Sequence, residues 1–211
     1  SFIAVAFAGE FQWGTWKNIL PGQSRTTLVL AKFIVLITIL LVALLATSLI
    51  LTGGHWLSSV LFDSPYGPPL SELDTAAFLT EYFSQILVTF ASLTISAAIA
   101  ALVAMYSSSV IASVFLTVGV GIVEFSLILM LLLVGGILDR PHLVNLFVVT
   151  PNYNLENMRS WILDRVGANV GGMPAFTAVQ PLYVSILIAS GWLLGLLLLT
   201  IILFHRKDIN G

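Results

Sequence analysis

The sequence contains no cysteine, which removes disulfides, cysteine-ligated metals and thiol catalysis from consideration. Charge is nearly as scarce: Asp, Glu, Lys and Arg make up 9% of the chain, against about 25% in a soluble domain. No Lys/Arg run forms a patch able to hold nucleic acid. There is no G-x-x-x-x-G-K-[ST] to cradle ATP phosphates and no H-E-x-x-H to hold a protease zinc. His55 and His142 stand alone, without the neighbouring ligands a metal site needs. Short alternating segments of the kind that build transmembrane barrels are missing as well.

What remains is apolar. The hydrophobic fraction of the 211 residues is 58%, gathered into runs at about 27–52, 82–106, 110–136 and 182–204. Each is near the about 20 residues needed to cross a bilayer as a helix. The chain therefore reads as one all-α, polytopic membrane domain over 1–211. Its opening, 1–9, reads as the end of a further membrane helix whose start lies before Ser1. Tyr82 and Tyr106 bracket the second run at headgroup depth, and Lys32 is expected to snorkel to the near surface. Segments 53–81 and 137–180 connect the runs on one side. Within the second, Asn154–Val166 reads as an interfacial amphipathic helix. Asn154 is its N-cap, Glu156 lies in its first turn, and Leu155, Met158, Ile162 and Val166 share a face.

Basic residues set the orientation. Lys17, Arg25 and Lys32 precede the first full span, and Arg206 and Lys207 follow the fourth. Four spans separate these clusters, so they share a side, which the positive-inside rule makes cytoplasmic. The loops 53–81 and 137–180 are then external.

The polar segment 10–25 lies on that cytoplasmic side. Glu10–Leu20 reads as a short helix with Trp13, Trp16 and Leu20 on one face and Glu10, Gly14 and Lys17 on another. Leu20-Pro21-Gly22-Gln23 is a turn, and Ser24 caps the incoming helix. Composition alone describes a loop with interfacial tryptophans.

Spacing adds a second reading. Glu10-x-x-x-Gly14-Thr15-x-Lys17-x-x-Leu20, followed by Ser24-Arg25 and Lys32, resembles the signature between the second and third membrane helices of ABC-2 type ABC transporter permeases. The tail, Phe204-His-Arg-Lys-Asp208-Ile209, is similar to the family's ending. The sequence departs from the family at Pro21-Gly22-Gln23, where many members carry Pro immediately before Ser-Arg. The resemblance implies a type V exporter-like, six-span bundle, with one complete helix and most of a second preceding Ser1. It implies that Glu10, Trp13, Gly14, Thr15, Lys17, Leu20 and Arg25 form a coupling element seated on an ATP-binding subunit. It further implies a plasma-membrane, non-catalytic permease paired with a second permease, identical or related. ATP and Mg belong to the partner subunit, and this chain carries no cofactor of its own. Two other classes stay open: an ion-coupled secondary transporter or channel, and a structural subunit of a larger membrane complex.

Glu124 is the acidic residue deep inside a span, where a charge costs about 2.5–3.5 kcal/mol on insertion scales. No Lys or Arg lies at matching depth, so it is expected to be uncharged or hydrogen-bonded to hydroxyls such as Ser92, Thr94 or Ser96. It marks either a substrate path or a structural hydrogen bond. Ser96, Ala100 and Ala104 form one small-residue stripe and Gly191-x-x-x-Gly195 another. Both suit close helix packing within one subunit, with a dimer interface as the other option.

Overall fold

The computed structural model describes residues 2–15, 22, 24–63, 67, 72–169 and 176–207. Among these there is no strand. The helices are α1 (Phe2–Gln12), α2 (Arg25–Phe62), α3 (Thr75–Ser107), α4 (Val110–Ile137), a 3-10 segment (Pro141–Val149), α5 (Pro151–Leu163) and α6 (Leu182–Arg206). Four of them, α2, α3, α4 and α6, are long and apolar enough to cross a membrane.

The long helices exceed the runs read from hydropathy. The first continues ten residues past Thr52 to Phe62, straight through Gly53-Gly54. Each glycine costs a helix about 1 kcal/mol, less than an open backbone amide costs in apolar surroundings. Asp63, in the left-handed region at φ 47°, ends α2. Asp74 starts α3 by accepting from the Ala77 amide at 3.1 Å. The expected loop 53–81 thus contracts to 63–74.

The core is built around α3. Its buried residues include Ala97, Ala98, Ala100, Ala101 and Ala104, a small-residue face that lets backbones approach where lipid supplies no hydrophobic drive. Ile3, Ala4, Phe7 and Ala8 of α1, Phe33 of α2 and Leu196 and Phe204 of α6 close over it. The expected stripe is therefore only partly right: Ala100 and Ala104 are buried, but Ser96 is exposed. Among the described residues nothing packs on Gly191 and Gly195, since a Cβ at either would meet no atom within 4 Å, and the groove they line is open to that extent.

The largest difference from the sequence reading lies in 137–180, which is more than an external loop. At the end of α4 the chain reverses through Asp139 (φ 53°), and Arg140 N–H donates to the Gly135 carbonyl at 2.7 Å. Position 135 must be glycine here, because a Cβ would lie 2.9 Å from the Arg140 carbonyl oxygen. The 3-10 segment then runs back along α4, with Val144 and Phe147 packed on Leu127, Ile128, Leu131 and Leu132. Its nine residues descend about 18 Å, close to the about 20 Å of α4 between Ile137 and Glu124. The chain turns again at Thr150, and α5 climbs back against α3 and α6. Together they form a re-entrant hairpin reaching about halfway along α4.

The expected helix Asn154–Val166 is accordingly displaced. Thr150 is the N-cap, its hydroxyl accepting from Tyr153 N–H at 3.2 Å, with Pro151 in the first turn. Asn154 is fully buried inside α5, donating to the Val148 and Thr150 carbonyls at 2.7 Å each. Leu155 joins the core, whereas Val166 lies beyond the helix and is exposed. Packing against α3 and α6 holds this helix.

Candidate functional site

Two polar constellations stand out in this apolar frame, one at the Arg25 end of the bundle and one at the tip of the hairpin. The first begins where α1 stops. Thr15 N–H reaches the Glu10 carbonyl at 3.1 Å and Gly14 N–H the Phe11 carbonyl at 3.3 Å, which is the Schellman pattern of a helix C-terminus. Gly14 supplies the required left-handed residue, at φ 67°. This corrects the expected Glu10–Leu20 helix. Glu10 belongs to the last turn of the preceding helix, and Gly14-Thr15 is the stop, so Trp13 and Glu10 do not begin a separate surface helix. Trp16, Lys17 and Leu20 lie outside the described residues.

Glu10 turns inward. Its Oε2 is buried and faces Lys32 Nζ at 2.6 Å as an ion pair. The same ammonium donates to the Ala6 carbonyl at 2.5 Å and lies 4.7 Å from the Phe7 ring centre. Lys32 thus bonds α2 to α1 instead of snorkelling to the surface. Trp13 stays 70% exposed, with its ring over Gly9, and Gly14 and Thr15 are half-buried. Of the described coupling candidates, Trp13 alone is exposed.

Arg25 also turns inward. Ser24 caps α2, its hydroxyl accepting from Thr27 N–H at 3.1 Å. From the next position Arg25 Nη1 donates to the carbonyls of Phe204, His205 and Lys207 at 3.1, 2.9 and 3.0 Å. A guanidinium there satisfies carbonyls that a helix C-terminus leaves open and complements the negative end of its dipole. Lys207 extends the chain of contacts. Its Nζ donates to the Met105 carbonyl at 2.5 Å and to the Ser108 hydroxyl, 4.3 Å from the Phe11 ring centre. Burial pushes its pKa down from the usual lysine value. The motif region and the C-terminal tail, 180 residues apart in sequence, therefore meet at one end of the bundle. The Arg25–α6 contact is not legible in the sequence, because no local signal marks an arginine that caps a distant helix.

At the tip of the hairpin, Glu124 Oε1 accepts from Asn152 N–H at 3.0 Å. The expected partners Ser92, Thr94 and Ser96 are not used; Thr94 instead donates to the Phe90 carbonyl of its own helix. Glu124 completes the N-terminus of α5. Pro151 has no N–H, Asn152 N–H goes to Glu124, and Tyr153 N–H goes to Thr150. A carboxylate also complements the positive end of that helix. Asn157 pins the other end. Fully buried, it donates to the Gln180 carbonyl and Ser185 hydroxyl at 2.9 and 2.8 Å and accepts from Ala168 N–H at 2.7 Å. Trp161 Nε1 reaches the same Gln180 carbonyl at 3.0 Å. Tyr153 joins this network, and burial raises its pKa despite the Gln180 backbone contact.

These features define a helical, multi-pass membrane protein with four long apolar helices. No family model, curated protein or solved structure matches the chain.

Proposed function

We propose that this chain is the permease subunit of an ABC-2 type ABC transporter, an exporter of the plasma membrane. A partner ATP-binding subunit binds ATP and Mg and hydrolyses the nucleotide. A second permease, identical or related, completes the pathway. The Arg25 end of the bundle is then cytoplasmic, in accord with its excess of Lys and Arg.

The observation that carries this reading is the mechanical continuity behind the Trp13–Thr15 turn, where Trp13 is exposed. Glu10–Lys32 ties α1 to α2, Arg25 ties α2 to α6, and Lys207 ties α6 to the α3–α4 turn. A push on the segment 13–25 from a soluble engine reaches all four long helices through charged contacts. In this scheme Glu10 and Arg25 transmit force, while Trp13, Gly14 and Thr15 face the partner. Lys17 and Leu20 keep the contact role that the family resemblance gives them.

Co-purification with a P-loop ATPase is the first test. The second is coupling: Arg25→Ala and Glu10→Gln should leave basal ATP hydrolysis within about twofold while transport falls by about tenfold or more. Transport unchanged in both variants refutes the reading.

One observation favours a second reading. Glu124 is a carboxylate half-way along a span, bonded to the Asn152 N–H of a helix that does not cross, and intramembrane carboxylates mark ion and proton paths in coupled transporters. Under that reading transport follows an imposed proton or sodium gradient and survives removal of ATP.

A further inference from the structure

Between α4 and α5 lies a cleft of about 520 Å³, within the about 300–1,000 Å³ usual for small-molecule sites. It is lined by Phe125, Phe147 and Tyr153 together with Glu156 and Arg159 of α5 and Asp164 at the C-cap of that helix. Apolar and charged groups therefore share one cleft. The charges choose the sign of a ligand. Arg159 is already engaged, 3.3 Å from Glu156, so it offers little to an anion. Asp164 has no cationic partner among the described residues and accepts only a 3.4 Å hydrogen bond from Ser160. Glu124 adds a further carboxylate beneath the cleft, through its bond to the lining residue Asn152. The surplus is negative, and the exposed ring of Phe125 adds to the attraction of a cation, whereas Phe147 and Tyr153 are themselves buried.

We infer that this cleft binds a lipophilic organic cation, its apolar surface on Phe125 and its positive charge toward Asp164. As a substrate station the cleft rests on the transporter reading above; as a binding site it stands without it.

The test uses two probes of one shape and opposite charge, tetraphenylphosphonium and tetraphenylborate. Equilibrium binding to the full-length protein in nanodiscs is measured without nucleotide, with empty nanodiscs subtracted. Failure of ATPase coupling therefore cannot produce or hide the result. The phosphonium should bind saturably, and Asp164→Asn and Phe125→Ala should each weaken it by about tenfold. Both substitutions spare the fold: Asn keeps the acceptor for Ser160, and Phe125 is 77% exposed. Equal saturable binding of the borate overturns the inference, as does unchanged phosphonium affinity in both variants. Stimulation of ATP hydrolysis by the phosphonium, measured separately in the assembled complex, tests whether the site belongs to the transport path.

Discussion

The Glu10–Lys32 pair allows a prediction whose sign can be worked from the structure. At 2.6 Å, unit charges attract by about 6 kcal/mol at an effective dielectric constant of 20. Removing two such enclosed groups from water takes back most of that gain. What survives is an asymmetry. The Lys32 side chain is 14% exposed and Glu10 28%, and Glu10 sits at a helix end while Lys32 lies two turns inside α2. Glu10→Gln therefore strands a buried ammonium and should cost about 2–3 kcal/mol, softened by the Ala6 carbonyl and the Phe7 ring. Lys32→Met leaves a carboxylate able to turn toward water and should cost about 1 kcal/mol. The double variant has no stranded charge and should also lie near 1 kcal/mol, giving a coupling energy of about 2–3 kcal/mol. Thermal unfolding of the four proteins in one detergent measures the cycle. Additive single effects, or Lys32→Met costing more than Glu10→Gln, refute the burial argument.

Three further outcomes follow from the same contacts. Asn157→Leu deprives Ala168 N–H and the Ser185 hydroxyl of their buried partner and should cost about 2–4 kcal/mol, read by thermal unfolding, with faster hydrogen exchange across α5. Glu124→Gln keeps an acceptor for Asn152 N–H and should change hydrogen exchange in 141–153 little, whereas Glu124→Leu should raise it by about tenfold, for a loss of about 1–2 kcal/mol. Lys207 has a folded pKa below its unfolded one, so between the two values the unfolded chain binds more protons and stability rises with pH. Subtracting the stability–pH curve of Lys207→Met isolates that rise, because the opposite contribution of Tyr153, whose pKa burial raises, is common to both proteins.

The long helices were legible because a bilayer-length apolar run has few other solutions. Their ends were not, since hydropathy falls before the backbone stops being helical: Gly53-Gly54 and the polar start of α3 both lie inside helices. Ser24 was legible as a cap because capping is local. Thr150-Pro151 carried an equally local signal, a capping threonine followed by proline in the first turn, but Asn154 drew the reading away from it. The re-entrant hairpin depends on the packing of 141–149 against α4, which no short-range pattern encodes. At the candidate coupling site the spacing of Glu10, Gly14, Thr15, Arg25 and Lys32 was legible as a motif. Their directions came only from tertiary structure: Gly14 stops a helix, Glu10 faces Lys32, and Arg25 faces α6.

The length of α2 has a consequence for how movement would be expressed. Its 38 residues make a rod of about 57 Å, and its buried positions, Val29, Phe33 and Leu36, all fall in the first third. The rod is held again at Ser48, which shares a 2.5 Å hydrogen bond with Tyr82 of α3, about 21 Å short of Phe62. Tilting it by about 5° about that second hold would carry Phe62 through about 2 Å. The end beyond Ser48 is where an angular shift of α2 would be read as a displacement, which makes Phe62 the place to attach a distance probe.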